Sequence, residues 1–139
     1  MNRIIKFRAW DQVENKWFEP IYEAYKGRLL DMHITLSGQP CIRSIEYCSD
    51  MRHTERYLLE QFTGLTDRNG TEIYEGDIVF IPEVKRKYVV FYQNGCFKLY
   101  HADPSLNTLV WGTIERVEEL VWDIEVIGNV HSTPDLICT

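Results

Sequence analysis

The stretch Phe62-Thr63-Gly64-Leu65-Thr66-Asp67-Arg68-Asn69-Gly70-Thr71-Glu72-Ile73-Tyr74-Glu75-Gly76-Asp77-Ile78-Val79 (FTGLTDRNGTEIYEGDIV) specifies backbone shape more firmly than any other part of the chain. Gly64 suits a positive φ, which costs glycine little because it has no Cβ. Asp67-Arg68-Asn69-Gly70 places Asp first and Gly fourth, the chemistry of a type I turn closing with a bulge. Glu75-Gly76-Asp77 is a second tight bend, and the apolar run from Ile78 to Ile81 then enters a strand that stops at Pro82. The expected product is a hairpin followed by a bend that launches a strand. As a turn, the acidic motif needs no substrate, and its carboxylates are expected to be solvated.

Strand signals continue on both sides. Toward the C-terminus, the tip Lys85-Arg86-Lys87 separates Ile78–Ile81 from Tyr88–Tyr92, and Asn94-Gly95 turns the chain into Cys96–Tyr100, giving a meander of short strands. Thr108–Gly112 is a further strand candidate. Ile114, Val117, Leu120, Val121 and Ile124 fall near helical spacing, with Glu115, Glu118 and Glu119 on the opposite face, so one or two helical turns are expected there. Glu125–Val130 closes the set as a strand containing Gly128, and Pro134–Leu136 reads as a terminal turn. Toward the N-terminus, Ile5, Phe7 and Ala9 alternate with Lys6 and Arg8 as in a half-buried strand, followed by a hairpin loop at Glu14-Asn15. Arg28–Leu36, Cys41–Tyr47 and Arg56–Phe62 are strand-length segments, although Tyr57–Gln61 is also compatible with one helical turn.

Four or five short strands joined by tight turns between residues 73 and 130 fit a small, strongly bent barrel, which removes the open edges of so short a sheet. The fold class is therefore mainly β with a minor helix: an N-terminal β-rich subdomain over residues 1–61 and a barrel subdomain over 62–139. Composition agrees. The chain has 139 residues, enough for a real core, and four Trp, eight Tyr and six Phe favour strands.

The formal charge of −6 arises wholly in the second part: residues 1–61 carry nine basic and nine acidic side chains, residues 62–139 six and twelve. A net acidic protein repels the phosphate backbone, so nucleic-acid binding would need a local basic patch. Cys41, Cys48, Cys96 and Cys138 match neither a redox pair nor a zinc knuckle. The apolar run before Lys6 is only two residues, and no window reaches the length of a membrane span; a cytoplasmic protein with reduced thiols and no membrane partner is expected.

Three segments, IKFRAWD at 5–11, QFTGLTDRNGTEIYEGDIV at 61–79 and EVIGNVHSTPDL at 125–136, resemble the YopX family, small proteins encoded by phages and by prophages. The central segment is highly specific, the outer two add order and spacing, and residues 22–55 match least. The resemblance implies an SH3-like barrel in the C-terminal part, a β-rich N-terminal part, a bacterial cytoplasm as the setting, and self-association. It implies no activity, and a fold by itself supplies none.

Each candidate site has a plainer, structural reading beside the functional one. Aligning Gly70 with the invariant glycine of a calcium loop puts Leu65 at the first position and Gly76 at the twelfth, so both key carboxylates are missing and the turn reading stands. Glu75 and Asp77 could form an acid/base pair, but Gly64, Asp67, Asn69, Gly70, Glu75, Gly76, Asp77 and Gly128 read better as structural motif residues. His33, His53, His101 and His131 are scattered and read as surface or loop residues, and Cys96 as a buried inert thiol. No catalytic signature, metal site or cofactor motif is found, which favours a non-enzymatic protein. Two basic groups remain, Arg3, Lys6 and Arg8 beside Trp10, and Lys85, Arg86 and Lys87; their plain reading is a solvated strand face and a solvated tip. The acidic segment Glu115–Glu125, with Glu115, Glu118, Glu119 and Asp123, suits docking to a basic partner or to a second copy of the chain. Trp111 and Trp122 bracket it. The leading expectation is an accessory protein that binds macromolecules and forms homo-oligomers; the alternative is nucleic-acid binding through the two basic groups.

Overall fold

In a computed structural model, the chain is described at residues 4–45, 51–52, 55–102, 110–113 and 123–137, with the backbone alone described at 51–52 and 110–113. It is mainly β, with antiparallel sheets that curl into a half-barrel. The strands in chain order are β1 Phe7–Asp11, β2 Lys16–Trp17, β3 Ile21–Glu23, β4 Arg28–Ile34, β5 Pro40–Ser44, β6 Met51–Arg52, β7 Tyr57–Thr66, β8 Glu72–Tyr74, β9 Asp77–Ile81, β10 Arg86–Gln93, β11 Cys96–His101, β12 Val110–Thr113 and β13 Glu125–Asn129. Short 3-10 turns cover Ala24–Lys26 and Pro134–Leu136. The sheets have the orders β12-β11-β10-β9-β13, β2-β1-β7-β8 and β3-β4-β5-β6.

The chain divides into two compact units, Arg8–Leu59 and Met1–Phe7 with Glu60–Thr139. The second contains the five-stranded sheet. There Val79 and Ile81 of β9, Tyr88 and Val90 of β10, and Phe97 and Leu99 of β11 turn inward with Ile73 and Ile124 to form one core; burial alternates along β10 and β11, whereas β9 is buried at Asp77, Ile78 and Val79 in succession. The tip between β10 and β11 is a two-residue loop with positive φ at Asn94 (53°) and Gly95 (81°), as a type I′ turn requires. A register shift between Val126 and Gly128 lets β13 bend along β9. Gly128 itself is demanded by close approach, because a Cβ there would lie 2.8 Å from Leu136 Cδ1 and overlap the Thr133 hydroxyl.

In the unit Arg8–Leu59 the core is Ala9, Ile42 and Tyr57, with Phe18, Leu30, Met32 and Leu59 packed against it. The β1–β2 hairpin turns at residues 12–15, with Asn15 at φ 53° and Trp10 paired with Trp17. Tyr57–Gln61 belongs to strand β7 and forms no helical turn. One expectation fails plainly: Ile5 and Phe7 are exposed, and the buried residues of β1 are Ala9, Trp10 and Asp11. Alternation tells which side chains share a face, but it cannot tell where along a strand that face is covered. The expected helical segment 114–124 lies outside the described residues except for Asp123 and Ile124, and no helix of the described residues is long and apolar enough to cross a membrane.

Candidate functional site

The richest polar constellation is built by β7, the bend between β8 and β9, and the end of β13. Glu60 of β7 and Asp77 of β9 are both buried carboxylates, and each accepts a hydrogen bond from the side-chain amide nitrogen of Asn129, at 3.3 Å in both cases. An amide nitrogen carries two hydrogens, so one Asn129 can serve both acids. The amide oxygen faces the other way and accepts the His131 backbone N–H at 2.8 Å, which fixes the orientation of the group. His131 closes the arrangement, with Nε2 3.2 Å from Glu60 Oε2. Against an ionised Glu60 that nitrogen must be the donor. Asp77 Oδ2 also accepts the Tyr74 backbone N–H at 2.8 Å.

Gly76 makes room for the cluster. Its φ is 83°, and a Cβ built on it would stand 2.8 Å from Glu60 Cδ and closer still to Oε2, so the carboxylate rests on bare backbone. The same glycine donates its N–H to Val90 O at 2.7 Å and accepts from Val130 N at 2.9 Å. The EGD and GNVH segments, about fifty residues apart in the chain, thus meet at one point. The expectation of solvated carboxylates in the Glu75-Gly76-Asp77 bend is corrected at Asp77, which is buried with the Tyr74 N–H and the Asn129 amide as donors. Glu75, half-buried, turns its carboxylate to the Gln61 N–H at 2.8 Å. Glu60, Asn129 and His131 carried no sequence signal of a site. Chemically, the cluster pairs an imidazole with a buried carboxylate, and it ties β7 of one sheet to β9 and β13 of another.

Asp67 forms a second polar knot. Its Oδ1 accepts from Asn69 N at 2.8 Å and Thr71 N at 2.9 Å, and its Oδ2 from Val126 N at 2.9 Å. Burial pushes the Asp67 carboxyl up, but the three backbone donors outweigh it and hold the group below the usual carboxylate range. Gly70 N donates to Asp67 O at 3.0 Å, the turn bond that the sequence implies, and Gly70 has φ 82°. Gly64 has φ 91° with open space around it.

The two basic groups are dispersed. Lys6 forms an ion pair with Glu72 and lies 4.9 Å above the Phe62 ring, and Arg8 stacks 4.3 Å above Trp17. Lys87 donates to Leu136 O at 2.8 Å, while Lys85, with φ 53°, and Arg86 are exposed at the tip. Arg3 lies outside the described residues, as do Glu115, Glu118, Glu119, Cys48, Cys138, His53 and Trp122 and the side chain of Trp111. Asp123 is exposed, and its N–H donates to Glu83 Oε1 at 2.9 Å. His33 is exposed on β4; His101 packs its ring 4.8 Å from that of Tyr88, and its buried Nδ1 has no hydrogen-bond partner among the described residues. Cys41 is the buried thiol, whereas Cys96 is half-buried with its sulfur 3.6 Å from Gln93 O, because residue 96 sits beside the hairpin tip rather than in mid-strand. Among the described residues no three His, Cys, Asp or Glu side chains have a geometry that could hold a metal ion.

The family model described as YopX protein matches residues 6–138. Among solved structures, the chain is similar to the crystal structure of protein EF1440 from Enterococcus faecalis, with 27% identity and a TM-score of 0.56 over 98% of this chain and 99% of that one. It is also similar in fold to protein yopX from Bacillus subtilis, with 20% identity and a TM-score of 0.51 over 94% and 95% of the two chains. No curated protein matches it.

Proposed function

The chain belongs to the YopX family, and from that premise we propose a phage- or prophage-encoded accessory protein of the bacterial cytoplasm, without enzymatic activity, that acts by binding macromolecules and self-associates. The observation that carries this reading is the run Ile4, Ile5 and Phe7, whose relative exposures are 66%, 61% and 41%. Three large apolar side chains within four residues, held at the head of β1 where Lys6 O accepts the Phe62 N–H at 2.9 Å, present to water a surface that association would cover. Their exposure is an ordinary cost for one residue and a notable one for three neighbours. Sedimentation velocity over a rising concentration series tests the reading: association that weakens in an Ile5→Ser, Phe7→Ser double variant supports it, and a strict monomer at high concentration defeats it.

The second reading, nucleic-acid binding, draws support from Lys85 and Arg86, both exposed at a protruding tip. Lys6, Arg8 and Lys87 are already engaged within the protein, which leaves few charges to neutralise phosphates. DNA and RNA binding at low salt, lost on charge reversal at 85–87, would favour this alternative; no binding at low salt removes it.

A further inference from the structure

The sequence contains two Asn-Gly pairs, Asn69-Gly70 and Asn94-Gly95, both exposed and both at turns. Asn-Gly is the dipeptide in which the following backbone nitrogen attacks the asparagine side chain most readily, because glycine has no Cβ to obstruct the approach. The fold treats the two pairs differently. In the first, Gly70 N–H, the group that must become the nucleophile, donates to Asp67 O at 3.0 Å, and Asn69 N–H donates to Asp67 Oδ1 at 2.8 Å. The Asp67 carboxylate is itself buried and anchored on Val126 N, so the residue that receives both turn bonds is held in place by β13. In the second pair, neither Asn94 nor Gly95 takes part in any of the backbone bonds that fasten turns among the described residues. Asn94 is already in the left-handed region at φ 53°, and the tip is held only through the flanking Gln93 and Cys96 pair.

We propose that Asn94 is a site of spontaneous backbone-assisted deamidation, and that the Asp67 knot protects Asn69 from the same reaction. Gly95 N gives up its proton and attacks Asn94 Cγ, forming a C–N bond. The Cγ–Nδ2 bond then breaks, and the amide nitrogen leaves with the proton as ammonia, giving a succinimide. One water molecule opens the succinimide at either carbonyl, to aspartate or to a β-linked isoaspartate. No oxidant or reductant is involved. The product carries a new negative charge at the β10–β11 tip, and the β-linked form adds a backbone methylene to a two-residue loop whose length sets the Gln93 and Cys96 register.

The test is incubation of the folded protein at mildly alkaline pH, followed by peptide mapping for aspartate and isoaspartate at both positions. Position 94 should convert several-fold faster than position 69, the difference should vanish in urea, and Asp67→Ala should raise the rate at 69 toward that at 94. Equal rates in the folded protein, or the reverse order, overturn the proposal. So does a difference that persists in urea, since neighbouring sequence rather than the fold would then set it. The urea comparison decides the matter even if Asp67→Ala fails to fold.

Discussion

Glu60 rests its carboxylate on the bare backbone of Gly76, sixteen residues away, at the place where a Cβ would overlap it. Two demands therefore coincide at Gly76, a φ of 83° and an absent side chain, whereas Gly64 at φ 91° meets only the first. Gly76→Ala should cost about 3 kcal/mol or more, the sum of left-handed strain and a displaced buried carboxylate, and Gly64→Ala about 1 kcal/mol from strain alone. Urea denaturation of the two variants checks the order. A fully stable Gly76→Val protein would refute the structural reading.

Asn129 offers a sharper probe of the same cluster. Asn129→Asp keeps the shape but replaces the donor shared by Glu60 and Asp77 with a third carboxylate, and should destabilise the protein by about 3–5 kcal/mol at neutral pH, as an uncompensated buried charge does. Acid should restore part of that loss, because protonating one of three acids relieves the repulsion. Asn129→Ala removes one donor from each of the two buried acids and should cost about 2–3 kcal/mol without the acid rescue. Denaturation curves at pH 7 and pH 5 separate the two variants.

Much of the fold was legible because it is written in local chemistry. The positive φ values at Gly64, Gly70, Gly76, Asn94 and Gly95 follow from residue type and turn position, and the apolar runs between those turns mark the strands β9, β10 and β11. The candidate cluster was not legible for the opposite reason. Glu60 lies 69 residues from Asn129 and 71 from His131, and a glutamate in a strand reads as solvent-facing unless its distant partners are known. Asp67 is legible by half: its bonds to Asn69 and Thr71 belong to the turn, while its bond to Val126, 59 residues on, has no local signature. Ile5 and Phe7 show the same limit from the other side, since their pattern is apolar and their cover is absent.

Asp67→Ala removes the acceptor of three backbone N–H groups at once and should cost about 2–3 kcal/mol. Asp67→Asn separates the turn from the long-range bond. Its remaining oxygen can still serve Asn69 and Thr71, but its NH2 then faces Val126 N–H, a donor against a donor. Hydrogen exchange should therefore show the Val126 amide losing protection in both variants, and Thr71 losing it only in the alanine variant.

The clearest pH dependence belongs to the unit Arg8–Leu59. Arg56 grips Asp11 with two bonds, Nε to Oδ1 at 3.0 Å and Nη2 to Oδ2 at 2.8 Å, and Asp11 also accepts from Val13 N at 2.9 Å and Glu14 N at 3.3 Å. The Arg56 guanidinium outweighs the effect of burial and lowers the Asp11 carboxyl from its ordinary 3.8 to about 2. A carboxyl lowered by folding contributes stability that is complete above its unfolded value and disappears as pH falls through its folded value. The shift corresponds to at most about 2.4 kcal/mol; with the Arg56 side chain 36% exposed to screening water, about 1–2 kcal/mol is expected. That increment should be present at pH 6, fade from about pH 5 downward and be gone only near pH 1, below both values. Asp11→Asn should flatten the stability profile in that window while leaving its slope above pH 5 unchanged, as read from denaturant midpoints at stepped pH. An unaltered acid slope in Asp11→Asn would show that the pair carries no such linkage.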